Sequence, residues 1–371
     1  MNPHACHCVY CAAPRGGAFF LGAARRKRNP HACHCVYCAA RRKISCYPQR
    51  GAAILMAMLT VTLVASLAAA ALWQQWRSVE IEAAQRARIQ SSWILVGALD
   101  WARLILREDK RSGGPDHLAE PWAVPLEEAR LATFFATDSN AAEQAADVQQ
   151  SFISGQITDM QSRLNVTNLI AEGKPSPNDV RQFAKLFDLL GLPETELERM
   201  VENLRFALDT SADNRSGSQA PLVPQRVEQL VWIGLSPQSV AMISPFVAIL
   251  PKPTLLNLNT APTEVIYASI DTLDLAGARQ FVTARATNQL RTLGDAKKLL
   301  GNRAEEVGDQ RFGVSSDFFE VRGRLRLDQV MVLERSLVQR NELDVKTLWR
   351  ERFAAQVETG KPSQSPSLQL P

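Results

Sequence analysis

The chain has 371 residues, 46% of them hydrophobic, and a formal net charge of +4. The charge is unevenly distributed, because residues 1–51 hold nine Lys/Arg and no acidic residue, whereas residues 52–371 hold 33 basic and 38 acidic residues. A body with an acidic excess lacks the basic surface that is typical of nucleic-acid-binding proteins.

We predict that residues 1–51 are a leader. All seven cysteines and four of the five histidines lie there, and residues 2–13 recur letter for letter as residues 29–40. In the second copy, the side chains of His31, Cys33, Cys35 and Cys38 are of the types that bind zinc. No second ligand pair follows at the usual spacing, and an exact repeat favours duplicated coding sequence read from an upstream start codon. The body needs no disulfide, since it contains no cysteine.

An uncharged run at residues 52–73 follows directly after Arg50-Gly51. As a helix, its 22 residues would span roughly 33 Å, enough for the hydrocarbon core of a bilayer. The basic flank predicts that the N-terminus stays in the cytoplasm. Two other interpretations stay open at this point: a secretory signal peptide cleaved near Ala68–Ala71, and a plain single-span anchor.

Beyond Trp73 the apolar residues narrow to one helical face. The predicted face consists of Leu72, Trp76, Val79, Ala83, Ala87, Ile94, Ala98, Trp101 and Ile105. A helix that begins uncharged and continues amphipathic, just behind an Arg-Gly junction, is typical of a pilin-like subunit. Such a subunit works by assembling with other subunits, so we expect its function to lie in protein–protein contacts and not in catalysis.

After a Gly/Pro break at residues 113–115, the sequence predicts strands at Phe152–Ile157 and Arg163–Leu169. The second alternates apolar and polar residues, as a half-buried strand does. From about Lys174 to Arg303 the pattern becomes helical, and Ser176-Pro177 and Gly191 are start and stop signals of its first helix. Further helices are predicted around 197–208 and at 227–233, 239–250, 262–270 and 276–286.

A period of two returns after Asp317 and predicts a strand through residue 327 with a partner strand at 330–338. Gly323 is expected to mark a bulge, and Asp328-Gln329 a turn. We expect this hairpin to form the edge of an antiparallel sheet with one wet, arginine-rich face. The Ser/Pro-rich tail from Lys361 is expected to be disordered.

Four segments, in order, resemble the minor pseudopilin K (GspK) family of type II secretion systems. They are the junction QRGAAILMAML, the strand RLNVTNL (163–169), the hallmark LNLNTAPTEV (256–265) and the strand SSDFFEVRGR (315–324). The hallmark residues are Asn257, Asn259, Thr260, Ala261 and Pro262. The third segment is the most specific of the four, and the ordered set covers most of residues 49–340.

The resemblance implies an α+β pilin fold, in which a long N-terminal helix packs on an antiparallel sheet, with an inserted all-α domain of SAM-like units. The expected organisation is a leader at 1–51, a transmembrane segment at 52–73, a first pilin part at 74–165, the insertion at 166–309, C-terminal pilin strands at 310–345 and a partly disordered tail at 346–371.

The resemblance also implies cleavage between Gly51 and Ala52 by prepilin peptidase and methylation of the Ala52 amine. The subunit would sit at the tip of the pseudopilus with other minor pseudopilins, above the major pseudopilin and the inner-membrane assembly platform. Its anchor would cross the bacterial inner membrane once, with the body in the periplasm. Ordinary pilins carry a Glu at mature position five, which pairs with a neighbour's terminal ammonium. Here that position is Met56, as expected within this family and as suits an end position.

The alternative function is a membrane-anchored periplasmic DNA-binding protein, because LNLNTAP also opens helix-hairpin-helix modules. Those modules present backbone N–H groups to phosphate. Here the Gly-x-Gly turn is missing, and Asp271 and Asp274 bring negative charge to that position. Thr260 as N-cap with Pro262 in the first turn explains most of the motif without a ligand.

An enzyme is not indicated, since the body has one histidine, His117, and neither a nucleophile elbow nor a P-loop. Calcium is the one cofactor that the resemblance suggests. Asp209 and Asp213, with Asn214, offer oxygen ligands in an acidic loop that is degenerate relative to the family.

Overall fold

The computed structural model describes residues 52–131, 151–209, 220–301, 303, 307–327 and 330–356. Its helices are α1 (Ala52–Ser112), α2 (Pro177–Leu190), α3 (Glu194–Leu208), α4 (Pro237–Ile243), α5 (Thr263–Ser269), α6 (Leu275–Thr287) and α7 (Leu293–Leu300). Single turns of 3-10 helix occur at Pro121–Ala123, Met160–Ser162 and Val166–Leu169, and a longer 3-10 helix at Val227–Ile233. The chain divides into two units, the first ending at Leu72 and the second beginning at Trp73.

In the first unit, the described residues Ala52–Leu72 form the beginning of α1 with every side chain exposed. The hydroxyls of Thr60, Thr62 and Ser66 donate to carbonyls of their own helix. These polar groups therefore need no partner outside the helix. By length and composition, α1 is a helix that fits a single-pass membrane anchor.

The second unit contains a five-stranded sheet in the order β1-β2-β9-β10-β11. Its strands, all antiparallel, are β1 (Leu126–Arg130), β2 (Ser151–Asp159), β9 (Phe318–Leu327), β10 (Val330–Asn341) and β11 (Asp344–Gln356). The remaining strands are two-residue pairs: β3 (Leu164–Asn165) with β6 (Val247–Ala248), β4 (Ile170–Ala171) with β5 (Lys174–Pro175), and β7 (Leu256–Asn257) with β8 (Phe312–Gly313). A long helix on an antiparallel sheet, with helices between its strands, confirms the predicted pilin fold class.

The buried stripe of α1 is offset from the predicted face, of which Ile94, Ala98 and Ile105 are half-buried and pack beside it. The buried residues are Ser91, Leu95, Leu99, Ala102 and Leu106, whereas Trp76 and Trp101 of the predicted face are 63% and 51% exposed. The buried set lies about one residue around the helix, roughly 100° away. Both stripes are apolar, so periodicity alone could not decide which of them the sheet covers.

Gly323 does not form a bulge; it is paired in regular register with Gly155 on β2 and Glu334 on β10. A Cβ atom at Gly323 would stand 3.2 Å from Cδ2 of Leu95. The glycine therefore serves close approach of α1 to the sheet, the other common use of glycine in a strand.

The hairpin of β9 and β10 is not an edge, because β2 and β11 flank it. Its arginine-rich face is also less wet than predicted: Glu320 is 3% exposed and pairs with Arg322. On the same face Arg335 reaches Glu228 of the 3-10 helix Val227–Ile233 at 3.0 Å. That contact shows part of this face covered by the helices. The predicted turn at Asp328-Gln329 lies outside the described residues.

The tail predicted from residue 346 begins later, because Asp344–Gln356 is the edge strand β11. A two-residue turn at Glu342-Leu343, with Glu342 at a φ of 51°, brings β11 back along β10. The strand predicted to end at Val338 likewise continues to Asn341. Residues from 357 onward, including the tail from Lys361, lie outside the described residues.

We call residues 177–300 the helical segment. Its core joins both of its halves around Phe183 and Phe187 of α2 and Val265 of α5, all 0–1% exposed. Gly191 ends α2 in the left-handed region, φ 66°, as predicted. The helix predicted at 239–250 ends at Ile243 instead: Ser244 is still helical and its N–H donates to the Val240 carbonyl, but Pro245 lacks the N–H that would continue the helix.

Arg163–Leu169 is not the alternating strand that we predicted. Only Leu164 and Asn165 are extended, and Val166–Leu169 is a 3-10 turn capped by Asn165, whose Oδ1 accepts from the Thr167 N–H at 3.1 Å. The amide of Asn168 donates to the Thr254 carbonyl at 2.8 Å. The polar residues of this segment, the buried Asn165 and the half-buried Thr167 and Asn168, are therefore hydrogen-bonded within the fold and do not form a solvated strand face.

The helical segment lies between β2 and β9 of the sheet in sequence, which agrees with the predicted insertion. The exact domain boundaries, 166 and 309 among them, stay a prediction.

Candidate functional site

Two parts of the molecule are candidates for function: the first turns of α1, and a buried polar junction between the sheet and the helical segment. Ala52 is the first residue of α1, and Met56 lies in the first two turns with 66% of its surface exposed. Gly51 lies outside the described residues. The geometry thus places Met56 on an uncharged, outward-facing helix surface.

The junction is centred on Asp159, at the end of β2, which is 2% exposed. Its Oδ2 accepts from the Thr260 hydroxyl at 2.5 Å, the Ser316 hydroxyl at 2.7 Å and the Asn257 amide at 3.0 Å. Its Oδ1 accepts from the Gln161 N–H at 2.8 Å. Burial raises the pKa of Asp159 to about 6 against the lowering effect of these hydrogen bonds.

Asn257 connects this carboxylate to the rest of the body. Its amide also donates to the Asp116 carbonyl at 3.1 Å and to the Ser316 hydroxyl oxygen at 3.0 Å. Its own oxygen accepts from the Asn259 N–H at 3.0 Å. Asn257 is fully buried, so each of these bonds replaces water that the fold has excluded.

Arg340, on β10, extends the junction to α1 and is 1% exposed. Its guanidinium donates to Asp109 at 2.6 Å and to Asp116 at 2.5 Å. It also lies 4.8 Å from the ring centroid of Phe319. Burial raises the pKa of Asp116, against the opposing charge of Arg340.

The carboxylates of Asp109, Asp116 and Glu120 lie within 4.8 Å of one another. Arg340 already provides a positive charge to two of them. Glu120 is also engaged, since its Oε2 accepts from the Trp122 indole N–H at 2.8 Å. This group of acids is therefore explained by protein partners.

Of the hallmark residues, Asn257 and Thr260 belong to this junction, and Asn259 and Ala261 are buried beside it. Asn259 makes a two-way bond with Leu290, at 2.9 Å in both directions. The guanidinium of Arg285 donates to the carbonyls of Leu258 and Ala261, and burial lowers its pKa to about 10. The hallmark therefore folds as a buried connector between the sheet and α5.

We predicted Thr260 as the N-cap of the following helix, and this is wrong. Pro262 occupies the cap position, and the Thr260 hydroxyl is directed to Asp159 instead. A partner 101 positions away in sequence competes successfully with the local cap.

The acidic residues after the hallmark have local partners. Asp274 caps α6, its Oδ1 accepting from the Gly277 N–H at 2.9 Å, and Asp271 pairs with Arg181 at 2.8 Å. The carboxylate of Asp274 thus occupies the helix terminus that a phosphate would need. This weighs against the helix-hairpin-helix alternative.

The remaining predicted residues do not form a common site. Asp209 is exposed at the C-cap of α3, and Asp213 lies outside the described residues, so calcium at that loop stays a prediction. His117 lies in a turn, where its Nδ1 accepts from the Ala119 N–H at 3.3 Å. The leader ligands His31, Cys33, Cys35 and Cys38 also lie outside the described residues.

Sequence reasoning missed Asp116, Asp159, Ser316 and Arg340. Asn257 is 98 positions from its partner Asp159, and Asp109 is 231 positions from its partner Arg340, so no local spacing reveals these contacts. The one signal available was the pair of polar residues, Asn257 and Asn259, within an apolar motif.

The sequence of the chain is similar to that of known proteins. Two models of one family, described as Type II secretion system (T2SS), protein K, match residues 162–252 and 256–315. The second matched region contains the hallmark. The chain is also 26% identical over 324 residues to the Type II secretion system protein K of Pseudomonas aeruginosa, covering 81% of this chain and 89% of that protein. Both comparisons support the type II secretion system protein K family for this chain.

The fold also agrees with a chain of a solved type II secretion complex. A chain in the crystal structure of the GspK–GspI–GspJ complex from the enterotoxigenic Escherichia coli Type 2 Secretion System superposes with a TM-score of 0.55 at 18% identity. The match covers 73% of this chain and 98% of that chain. At this identity the likeness concerns the fold.

Proposed function

We propose that this chain is a minor pseudopilin at the tip of the type II secretion pseudopilus. There it starts assembly with other minor pseudopilins and supports export of folded exoproteins across the outer membrane. The observation that carries the proposal is α1, which begins with an exposed uncharged stretch and then packs one face on the sheet of a protein K fold. The E. coli relative is described in complex with GspI and GspJ, and equivalents of these are the proposed partners, next to the major pseudopilin, prepilin peptidase and the inner-membrane assembly platform.

The proposed location is the bacterial inner membrane, crossed once by α1. The nine basic residues before Ala52 favour a cytoplasmic N-terminus, so the body would lie in the periplasm.

An outward-facing apolar stripe on α1 supports contact with partners. Trp93 and Leu104 are 71% and 44% exposed. Each is two positions from the buried residues of α1 on either side of it, or about 200° around the helix. This stripe is therefore directed away from the chain's own sheet, whereas Trp101, 51% exposed, adjoins the buried Ala102 at the margin of the packed face.

Met56 supports a terminal position in the fibre. A subunit without a carboxylate at mature position five offers no acceptor for a neighbour's terminal ammonium. An unpaired ammonium in an apolar core is costly, so such a subunit is unfavourable in the middle of a fibre and acceptable at its end.

Maturation is tested by mass spectrometry of the protein purified from membranes. Trypsin cleaves after Arg50 and Arg77, so an unprocessed chain gives a peptide that begins at Gly51. We expect the peptide 52–77 instead, heavier by one methyl group. Deleting residues 2–28 should leave assembly intact. Recovery of Gly51 on the membrane-assembled protein would refute processing.

The tip position is tested by site-specific photocrosslinking and by counting copies. A photoreactive residue at Trp93 or Trp101 should capture other minor pseudopilins. The same residue at Leu299, an exposed apolar position on α7, is the matched control and should not capture them. We expect about one copy per filament; copies at regular intervals along the fibre would contradict the tip position.

A further inference from the structure

A continuous path of buried hydrogen bonds runs from α1 to the helical segment. We call it the relay and define it as Arg340, Asp116, Ser316, Asn257, Asp159 and Thr260. We propose that the relay couples the last turns of α1 to the start of α5, so that loosening either end loosens the other. The coupling is a property of the folded body and does not depend on where the subunit sits in a fibre.

At the α1 end, one guanidinium holds three parts of the chain together. Nη1 of Arg340 donates to the Leu106 carbonyl at 3.3 Å and to Asp109 at 2.6 Å, both on α1. Nη2 donates to Asp116 in the connection after α1 at 2.5 Å, and to the Ser316 carbonyl before β9 at 2.8 Å. A planar group that serves four acceptors fixes their relative positions.

In the middle of the relay, Asp116 and Ser316 connect Arg340 to Asn257 and Asp159. Asp116 accepts from the Ser316 N–H at 2.7 Å, and its carbonyl accepts from the Asn257 amide at 3.1 Å. The Ser316 hydroxyl then donates to Asp159 at 2.7 Å.

At the other end, Asp159 holds Thr260, three residues before α5. Every relay residue is at most 6% exposed. A bond lost in such surroundings leaves a polar atom that water cannot readily satisfy, so disorder at one residue raises the cost of order at the next.

Arg352 also links α1 to the sheet, but its contacts do not extend to the helical segment. Arg352, on β11, donates to the Ser92 hydroxyl of α1 at 2.5 Å and also pairs with Glu334. Neither partner belongs to the helical segment, so Arg352 is a matched control for Arg340.

The coupling is tested by hydrogen–deuterium exchange of the full chain in detergent micelles. Thr260→Val removes one hydroxyl at the α5 end, and we expect about tenfold faster exchange in residues 106–112 of α1. Arg340→Lys keeps the charge but loses the fork, and we expect a comparable acceleration in residues 257–266. Effects in both directions are what coupling between two sites requires.

Two variants serve as controls. The Thr283 hydroxyl donates only within its own helix, to Arg279 at 2.9 Å, so Thr283→Val should leave exchange in α1 unchanged. Arg352→Lys should leave residues 257–266 unchanged. The proposal fails if either relay variant accelerates exchange only near its own site, or equally throughout the body, including α2 and β10.

Discussion

Replacing Arg340 by methionine is expected to lower the free energy of unfolding of the body by about 3–5 kcal/mol. The variant keeps much of the side-chain volume but leaves Asp109 and Asp116 close together without their cation. Asp116 is 3% exposed, so water does not replace the lost partner. Urea unfolding followed by tryptophan fluorescence measures the loss.

The control for this substitution is Arg352→Met. Arg352 also pairs with a carboxylate, Glu334, but is itself exposed, and Glu334 keeps a second partner in Arg350 at 3.4 Å. We expect a loss of about 1 kcal/mol there. Equal losses for the two variants would show that Arg340 has no special structural role.

Replacing Asp159 by alanine is expected to cost about 3–5 kcal/mol at pH 7, because it removes the acceptor of Asn257, Thr260 and Ser316 at once. Gln156→Ala, at an exposed position of the same strand, is the control and should change stability by less than about 0.5 kcal/mol.

The Asp159 effect should also depend on pH. Its folded-state pKa of about 6 lies above the ordinary value of about 3.9, so the folded protein takes up a proton before the unfolded one does. The wild type should therefore gain about 1 kcal/mol from this group between pH 7 and pH 5. Asp159→Ala lacks the gain, so its deficit should be larger at pH 5. A deficit that is unchanged or smaller at pH 5 would contradict the raised pKa.

The two substitutions should not be additive, because both residues belong to the relay. Without Arg340, Asp116 no longer holds Ser316 and Asn257 in place. Replacing Asp159 should then lower the free energy of unfolding by less than it does in the wild type. A double variant that loses clearly less than the sum of the single losses supports the relay. Full additivity would indicate independent sites.

The sequence predicts those parts of this protein whose pattern is local. The uncharged start of α1, the start and stop of α2 and the period of two in β9 each depend on residues within a few positions of one another, and the structure contains them all. The hallmark at 256–262 identifies the family for the same reason.

Elements that depend on distant partners were predicted wrongly or missed. Arg163–Leu169 alternates as a strand does, yet its Asn165 amide donates to the Lys252 carbonyl, 87 positions away, at 2.9 Å. The buried face of α1 is determined by a sheet whose strands all begin at least 20 positions after Leu106. Asp159 and Arg340 have no local signal, because their surroundings exist only after the sheet and the helical segment have met.

Strand β11 affects whether separate copies of the chain pair with one another. It is a 13-residue edge of the sheet, and a long edge is a template for pairing with other chains. Charged side chains at Lys346, Arg350, Glu351 and Arg352 interrupt it. In the proposed membrane location, copies of the chain would be confined to two dimensions, where crowding favours unwanted strand pairing. The charges along β11 would oppose such pairing and so keep neighbouring copies separate.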